Sequence, residues 1–358
     1  SFAATEDDYL RWFEAIADMG ANALRATNVM DDAFYNALYT YNTTHPEPLY
    51  LLQGTSVSDY ANNNAKDAYH DDFLAALLED GKDLVDIIHG RKTIPLNEMR
   101  GSGLYRRDIS SWVVGFVIGT EWVSDTVAYT DHNIIRSQSY QGTYFTTRDD
   151  ATAFEAMLAQ VMDEVTLYES KKYKTQRPIG FINDPANDFL AYEPVYARQL
   201  QKYVQIDAEH VLPTDALLSG YFAAYRLYDF CPNFTQYLSQ EQKMTLAPLL
   251  ENLSGEGLYG GYLELIAAYH TMPVLAAGYG FSSSRGAVKI DWPPLTEEEQ
   301  GQRLVAVSQE LAAEGWAGDF ISTWQDTWER RTWNTAFATV PTQNYRWHDL
   351  QTDGQGYG

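Results

Sequence analysis

The chain has 358 residues, a single cysteine and a formal net charge of -24 at pH 7, with 49 acidic against 25 basic residues. Such an excess of negative charge repels phosphate backbones and anionic lipid, so neither nucleic-acid binding nor membrane binding is expected. One cysteine, Cys231, cannot form an internal disulfide. There is no stretch with the length and apolarity of a transmembrane helix, and no basic segment followed by an apolar run at Ser1. We therefore expect a soluble or already processed protein.

Predicted helices and strands alternate along the chain. Apolar residues at helical spacing predict helices, and short apolar runs predict buried strands. The predicted helices cover 7–19, 33–41, 71–89, 152–173, 259–269 and 297–314, and Gly81 is a point where the third could be interrupted. The predicted strands cover 21–27, 48–54, 111–123, 178–183, 220–228, 272–278 and 318–324. No hairpin signal joins two strands, so the pattern predicts a parallel sheet wrapped by helices.

Seven strands in this arrangement, preceded by a helix, predict an α/β fold of the (β/α)8 TIM-barrel class. The first strand is then missing from this chain or weak in it: residues 1–5 retain a remnant, or the strand lies upstream. We expect residues 1–358 to form a single domain. Long segments after strands, at 125–150, 184–205 and 280–296, are candidates for loops that form a site.

The predicted strand over 111–123 carries the first candidate catalytic group. It is rich in β-branched and aromatic residues and ends in Gly119-Thr120-Glu121-Trp122, which is typical of a buried parallel strand with a carboxylate at its carboxyl end. In α/β folds the chemistry collects at this end. A Glu that caps the next helix or pairs with an Arg is the structural alternative. Retaining glycoside hydrolysis needs a second carboxylate roughly 5–5.5 Å away, from another strand end.

At these residues the chain resembles the large superfamily of (β/α)8-barrel retaining glycoside hydrolases. Members place an acid/base Glu after the fourth strand and a nucleophile Glu after the seventh. If a missing first strand is counted, Glu121 takes the acid/base position, although Thr120 stands where members usually have Asn. The segment 273–280, Pro-Val-Leu-Ala-Ala-Gly-Tyr-Gly, ends strand seven and places Gly278 at the nucleophile position. We expect residues 121 and 278 to face one another across one pocket.

The resemblance also implies substrate-binding residues at other strand ends. Arg25 corresponds to an Arg that members often have near the nucleophile, and Trp324 to a Trp that stacks under the sugar ring. The expected substrate-binding residues are Arg25, Gln53, Trp122, Asn183, Tyr225, Tyr228, Tyr279, Trp324 and Gln325. Structural alternatives stay open: an ion pair for Arg25, solvated strand ends for Gln53 and Asn183, and core packing for Trp324.

Three explanations for Gly278 remain open. The first is an engineered replacement of Glu, which would trap substrate or run synthesis from an activated sugar fluoride. The second is a naturally non-catalytic barrel that only binds carbohydrate. The third is a different alignment, in which another acid such as Asp229, Asp291 or Asp326 acts instead. The resemblance implies an oligo- or polysaccharide as the partner, hydrolysis or transglycosylation as the reaction, no cofactor, and an extracellular or secreted location.

Other chemistries fit the sequence less well. The seven His residues show no His-x-Glu or His-x-x-x-His pairing, so no metal site is expected. At 282–286 the sequence Ser-Ser-Ser-Arg-Gly lacks the first glycine of a nucleophile elbow. No Gly-x-x-x-x-Gly-Lys run is present to cradle phosphate.

Overall fold

The computed structural model describes residues 4–58, 67–96, 100–228, 233–283, 295–325, 327–331 and 354–355. These residues fall into two compact units. Unit 1 comprises Ser1–Ala224, Gln236–Thr245 and His270–Pro273, and unit 2 comprises Tyr225–Thr235, Leu246–Tyr269 and Val274–Gly358. The single domain over 1–358 stays a prediction.

Helices and strands alternate, as the sequence predicts. The helices are α1 Glu6–Asp18, α2 Asp32–Thr44, α3 Ala76–Ile88, α4 Ser124–Asp131, α5 Ala153–Tyr173, α6 Pro194–Gln199, α7 Gln240–Thr245, α8 Ala247–Leu250, α9 Tyr262–Tyr269 and α10 Glu297–Ala313. The strands are β1 Ala23–Ala26, β2 Tyr50–Thr55, β3 Lys92–Ile94, β4 Gly103–Tyr105, β5 Val113–Ile118, β6 Phe145–Thr147, β7 Ile179–Asn183, β8 Val211–Pro213, β9 Ala223–Arg226, β10 Val274–Tyr279, β11 Gly318–Ile321, β12 Thr327–Arg331 and β13 Gly354–Gln355.

Seven strands form one sheet, in the order β1-β2-β5-β7-β9-β10-β11. In unit 1 the pairs β1/β2, β2/β5 and β5/β7 are parallel, and in unit 2 the pair β10/β11 is parallel. The predicted α/β fold of the (β/α)8 TIM-barrel class, with its first strand missing or weak, is confirmed. Parallel strands are covered on both faces, and β7 is accordingly buried along its whole length.

In the described part of the chain, three short antiparallel pairs lie outside the main sheet and were not predicted. They are β3 with β4, β6 with β8, and β12 with β13. Each of the first four strands has three residues, too few to show an alternation of apolar and polar residues. Helix α4 also falls within a segment that was expected to be a loop. Three of its eight residues are buried, Thr126, Val127 and Thr130. Only the valine is apolar, so the sequence shows no periodic apolar face here.

Helix α5 has 21 residues, and 13 of them are buried. A capping box fixes its start, where Thr152 accepts from the Glu155 N–H and Glu155 accepts from the Thr152 N–H. Its contact with α3 explains Gly81, which does not interrupt α3. A Cβ at Gly81 would lie 2.6 Å from Cγ2 of Val165, so the absent side chain allows the two helices to approach closely.

Candidate active site

The turn after β5 holds the candidate acid/base residue, and Gly119 begins that turn. Its φ is +88°, and its N–H donates to the carbonyl oxygen of Thr55 at the end of β2 at 2.7 Å. A Cβ here would lie 2.2 Å from Cζ2 of Trp122. Only glycine combines this backbone conformation with so close a contact, so the turn is specified by its first residue.

The Trp122 indole anchors the other side of the turn. The side chain is 2% exposed, its ring packs edge-to-face against Phe154 at 5.3 Å between centroids, and Nε1–H donates to the Ile182 carbonyl oxygen at 2.7 Å. In this conformation Trp122 supports the turn and offers no open ring face to a ligand.

Asn187, which no sequence pattern marks as a site residue, completes the anchor. It is 2% exposed. Its Nδ2 donates to the carbonyl oxygen of Trp122 at 2.7 Å, and its Oδ1 accepts from Ser124 Oγ at 2.6 Å. Asp184 in turn accepts from the Asn187 N–H at 3.1 Å. The loop after β7 therefore holds the loop after β5, a relationship that no local sequence pattern encodes.

Glu121 is exposed, although both of its flanks are fixed. Gly119 is bonded to β2 on one side, and Trp122 is buried and bonded to β7 and Asn187 on the other. The result is a carboxyl group in contact with solvent at the carboxyl end of a buried parallel strand, on a backbone with little freedom. A general acid or base requires this combination of access and fixed position.

The remaining predicted residues of unit 1 are less accessible. Gln53 is fully buried: Oε1 accepts from the Tyr35 hydroxyl at 2.9 Å, and Nε2 donates to the carbonyl oxygens of Asn28 and Gly54. Asn183 is 1% exposed and donates to the Ile206 carbonyl oxygen at 2.8 Å. Both amides are engaged within the protein. Arg25 is half-buried on β1.

In unit 2, Gly278 lies on β10 at an irregularity of the strand. The register pairs Ala276 with Asp319 and Tyr279 with Ile321, so β10 has one residue more than β11 between these pairs. Gly278 is buried, and its carbonyl oxygen accepts from the Leu227 N–H at 2.8 Å. An extra residue of this kind is a β-bulge, a feature often found beside active sites.

The predicted aromatic residues of unit 2 divide into buried and accessible ones. Tyr279 and Tyr225 are fully buried. Burial, followed by the hydrogen bond that its hydroxyl donates to Asp319 at 2.7 Å, raises the pKa of Tyr279 far above its ordinary value. Tyr228 is half-buried, with the Arg226 guanidinium 4.9 Å from its ring centroid. Core packing thus accounts for Tyr225 and Tyr279.

The segment after β11 carries the most accessible of the predicted aromatics. Trp324 is 42% exposed, and the next residue, Gln325, is also exposed. An exposed indole beyond a strand end can present its face to a pyranose. The alternative acids Asp229, Asp291 and Asp326 lie outside the described residues.

A groove of about 680 Å³ lies beside α4 in unit 1, and no sequence pattern predicts it. Its lining includes Asp67, His70, Asp125, Tyr129, His132 and Asn133. Among the described residues, no cluster of His, Cys, Asp and Glu is arranged to hold a metal ion. Within the same part of the chain, no helix combines the length and the apolarity required to cross a bilayer.

No family model matches the chain, and neither does any curated protein sequence. Solved structures do match. The beta-D-glucuronidase of Dictyoglomus thermophilum is 12% identical with a TM-score of 0.50, over 99% of this chain and 44% of that chain. The chain shares the fold of this glycosidase. Its resemblance to (β/α)8-barrel glycoside hydrolases is therefore confirmed at the level of the fold.

Two further glucuronidase structures have lower TM-scores. A beta-glucuronidase of an uncultured Clostridium sp. is 14% identical with a TM-score of 0.48, over 99% of this chain and 44% of that chain. That of Bifidobacterium dentium, complexed with coumarin-3-O-glucuronide, is 10% identical with a TM-score of 0.49, over 99% of this chain and 40% of that chain. The chain thus spans less than half the length of these proteins.

Proposed function

We propose that the chain acts on a glycan with retention of configuration, as a hydrolase or transglycosylase. Glu121 is the acid/base, and Gly278 occupies the nucleophile position. The observation that carries the proposal is the anchoring of an exposed carboxyl group at the carboxyl end of β5, by Gly119, Trp122 and Asn187. The fold shared with a beta-D-glucuronidase supports it.

In the proposed reaction, Glu121 donates its proton to the glycosidic oxygen while the bond from that oxygen to the anomeric carbon breaks. A nucleophile attacks the anomeric carbon from the opposite face and forms the glycosyl intermediate. In the second step Glu121 removes a proton from water or from a sugar hydroxyl, which displaces the nucleophile. Because glycine has no side chain, the first step depends on a nucleophile from outside the chain or on a carboxylate restored at position 278.

Of the expected substrate-binding residues, we propose the exposed and half-buried ones as sugar contacts. These are Arg25, Tyr228, Trp324 and Gln325. The buried ones, Gln53, Trp122, Asn183, Tyr225 and Tyr279, support the strand ends. Trp324 is proposed as the platform under the sugar ring because its indole is 42% exposed.

A naturally non-catalytic carbohydrate-binding barrel is the second candidate, and Gly278 itself favours it. Position 278 has a buried backbone and no side chain, so it supplies no nucleophile. Glu121 would then accept hydrogen bonds from sugar hydroxyls instead of transferring protons.

The substitution Gly278→Glu separates the two candidates. We expect it to create hydrolysis of aryl glycosides from a panel of sugars, and we expect Gly278→Gln, which has the same size and no nucleophile, to stay inactive. Adding Glu121→Gln should lower the rate most for glycosides with poor leaving groups, since these depend on the acid. An inactive Gly278→Glu variant that still binds glycan supports the second candidate.

A complementary experiment uses the chain as it is. Azide or formate can act as a small external nucleophile at a position that lacks its carboxylate. With an aryl glycoside and azide, we expect attack on the anomeric carbon, release of the phenol and formation of a glycosyl azide. Absence of this product at high azide concentration, together with an inactive Gly278→Glu variant, contradicts the catalytic proposal.

A further inference from the structure

The residues of α4 that line the groove beside it begin only a few positions after Glu121 in the sequence. Helix α4 begins at Ser124, and Asp125 lines the groove. Four residues of extended chain span at most roughly 14 Å, so the groove wall begins within that distance of the candidate acid/base. An oligosaccharide bound at Glu121 is therefore long enough to reach the groove wall.

Tyr129 and His132 both line the groove, and both side chains are exposed. Tyr129 lies on α4, and His132 directly follows its last residue and still has helical backbone angles. The two residues are three apart, so they share one face of the helix. Tyr129 is 54% exposed, and among the described residues neither side chain makes a hydrogen bond with the protein. A tyrosine ring supplies a flat surface for the apolar face of a pyranose, and an imidazole supplies a hydrogen-bonding group for its hydroxyls.

The carboxylates of the groove are held in place by the protein. Asp67 accepts from Asn133 Nδ2 at 2.8 Å and, with both oxygens, from Arg136 at 3.0 Å. Asp125 accepts from the Tyr203 hydroxyl. Carboxylates that are fixed in this way are preorganised acceptors for sugar hydroxyls, each with lone pairs to spare.

The charge of the groove selects among sugars. Asp67 and Asp125 are both carboxylates, and the nearby Arg136 is already paired with Asp67. His70 is likewise paired with Asp72. The chain as a whole also carries a charge of -24. A carboxylate on the ligand would therefore be repelled by the carboxylates of the groove, because like charges at short range repel.

We infer that the groove beside α4 is a second sugar subsite, which binds an uncharged pyranose unit of the glycan through Tyr129 and His132. This inference rests on the proposed function and narrows its substrate class to neutral glycans. The beta-D-glucuronidase that shares the fold is named for glucuronides, which carry a carboxylate. The inference gives this chain a different class of sugar.

Calorimetry on the full chain tests the inference, with cellohexaose, mannohexaose and hexagalacturonate as probes and the corresponding methyl glycosides as short ligands. We expect a neutral hexasaccharide to bind more tightly than hexagalacturonate. Tyr129→Ala should weaken that binding about tenfold, which is about 1.4 kcal/mol, because it removes the ring surface under the second sugar unit. Binding of the methyl glycoside should be unchanged. Tyr129→Phe, which keeps the ring, should retain most of the affinity. Tyr50→Ala is the matched control, since Tyr50 is 40% exposed at the start of β2.

The outcomes separate the subsite from the catalytic proposal. If Tyr129→Ala and His132→Gln leave hexasaccharide binding unchanged while Glu121→Gln alters it, the subsite is wrong and the proposed function stands. If Tyr129→Ala weakens binding while Gly278→Glu stays inactive, the subsite stands and catalysis is wrong. Preferential binding of hexagalacturonate, or no binding of any probe, overturns the inference.

Discussion

The indole N–H of Trp122 donates to the carbonyl oxygen of Ile182 at 2.7 Å, which ties the turn after β5 to the end of β7. Glu121 precedes this buried indole and is itself exposed. The position of the candidate acid/base therefore depends on core packing one residue away. Mutations in the core around Trp122 are expected to affect both the stability of unit 1 and the chemistry at Glu121.

Replacement of Trp122 by Phe should destabilise the protein. The variant loses the indole N–H and leaves the buried Ile182 carbonyl oxygen without this donor, at a cost of about 2–3 kcal/mol. Urea unfolding followed by circular dichroism measures the loss. Trp324→Phe is the control, because Trp324 is 42% exposed and its replacement should change stability by less than about 0.5 kcal/mol. Equal effects of the two substitutions would contradict the anchoring role of Trp122.

Gly119 provides a second test of the same turn. Gly119→Ala must accommodate a Cβ at φ +88° and 2.2 Å from Trp122 Cζ2. Gly20 has a similar φ of +94°, and no atom lies within 4 Å of the place that a Cβ would take there. Gly20→Ala therefore measures the backbone cost alone, about 1–2 kcal/mol. We expect Gly119→Ala to lose about 1–3 kcal/mol more than Gly20→Ala in urea unfolding, because of the contact with the indole.

Asn187 should affect catalysis more than its contribution to stability would suggest. In the Gly278→Glu background, Asn187→Ala frees the carbonyl oxygen of Trp122 and the backbone next to Glu121, so we expect kcat to fall about tenfold with little change in KM. Asn42 is a matched control, since it is 7% exposed and its side-chain amide makes two hydrogen bonds with the backbone of Leu49. Nδ2 donates to the Leu49 carbonyl oxygen, and Oδ1 accepts from the Leu49 N–H. Asn42→Ala should lower stability and leave kcat unchanged. A fall in kcat of the same size in both variants would indicate a general structural effect.

The sequence predicted the architecture because the main sheet follows local patterns. Each long strand is a buried apolar run and each long helix has a periodic face, so β5, β7 and α5 were all predicted. The predicted ends of β7 and α5 lie within a few residues of the observed ones. The strand predicted over 111–123 is shorter in the structure, β5 Val113–Ile118, because the turn at Gly119 begins early. The three-residue strands and α4 were missed, since tertiary contacts stabilise them.

The sequence predicted the strand-end positions of the candidate site but not which side chains are accessible. Trp122 and Trp324 both lie at the carboxyl ends of predicted strands, yet one is 2% and the other 42% exposed. Gln53 and Asn183 resemble sugar ligands by position but bond to Tyr35 and to the Ile206 carbonyl oxygen. Asn187 was missed for the converse reason, because its partners lie more than sixty residues away in the chain. Burial and long-range hydrogen bonds arise from the assembled fold, and single-sequence patterns do not contain them.

The last residue of α4, Asp131, links the groove helix to α5 and should make stability depend on pH. Its carboxyl group accepts from the Phe154 N–H at 2.8 Å. Burial raises its pKa to about 6, although the hydrogen bonds from Phe154 and Thr152 oppose the shift. In the unfolded chain the pKa is near 3.9. Between these values the native state binds more protons than the unfolded state, so stability falls as pH rises through about 4 to 6.

Asp131→Asn isolates this effect because asparagine is neutral at every pH and keeps an acceptor for the Phe154 N–H. At pH 4 and below the two proteins should be about equally stable. Above pH 6 we expect the Asn variant to be more stable by up to about 2 kcal/mol, a value reduced from the full pKa difference because Asp131 is partly solvated. Urea unfolding at intervals from pH 4 to pH 8 measures the difference. A constant difference across this range would show that Asp131 titrates alike in the folded and unfolded states.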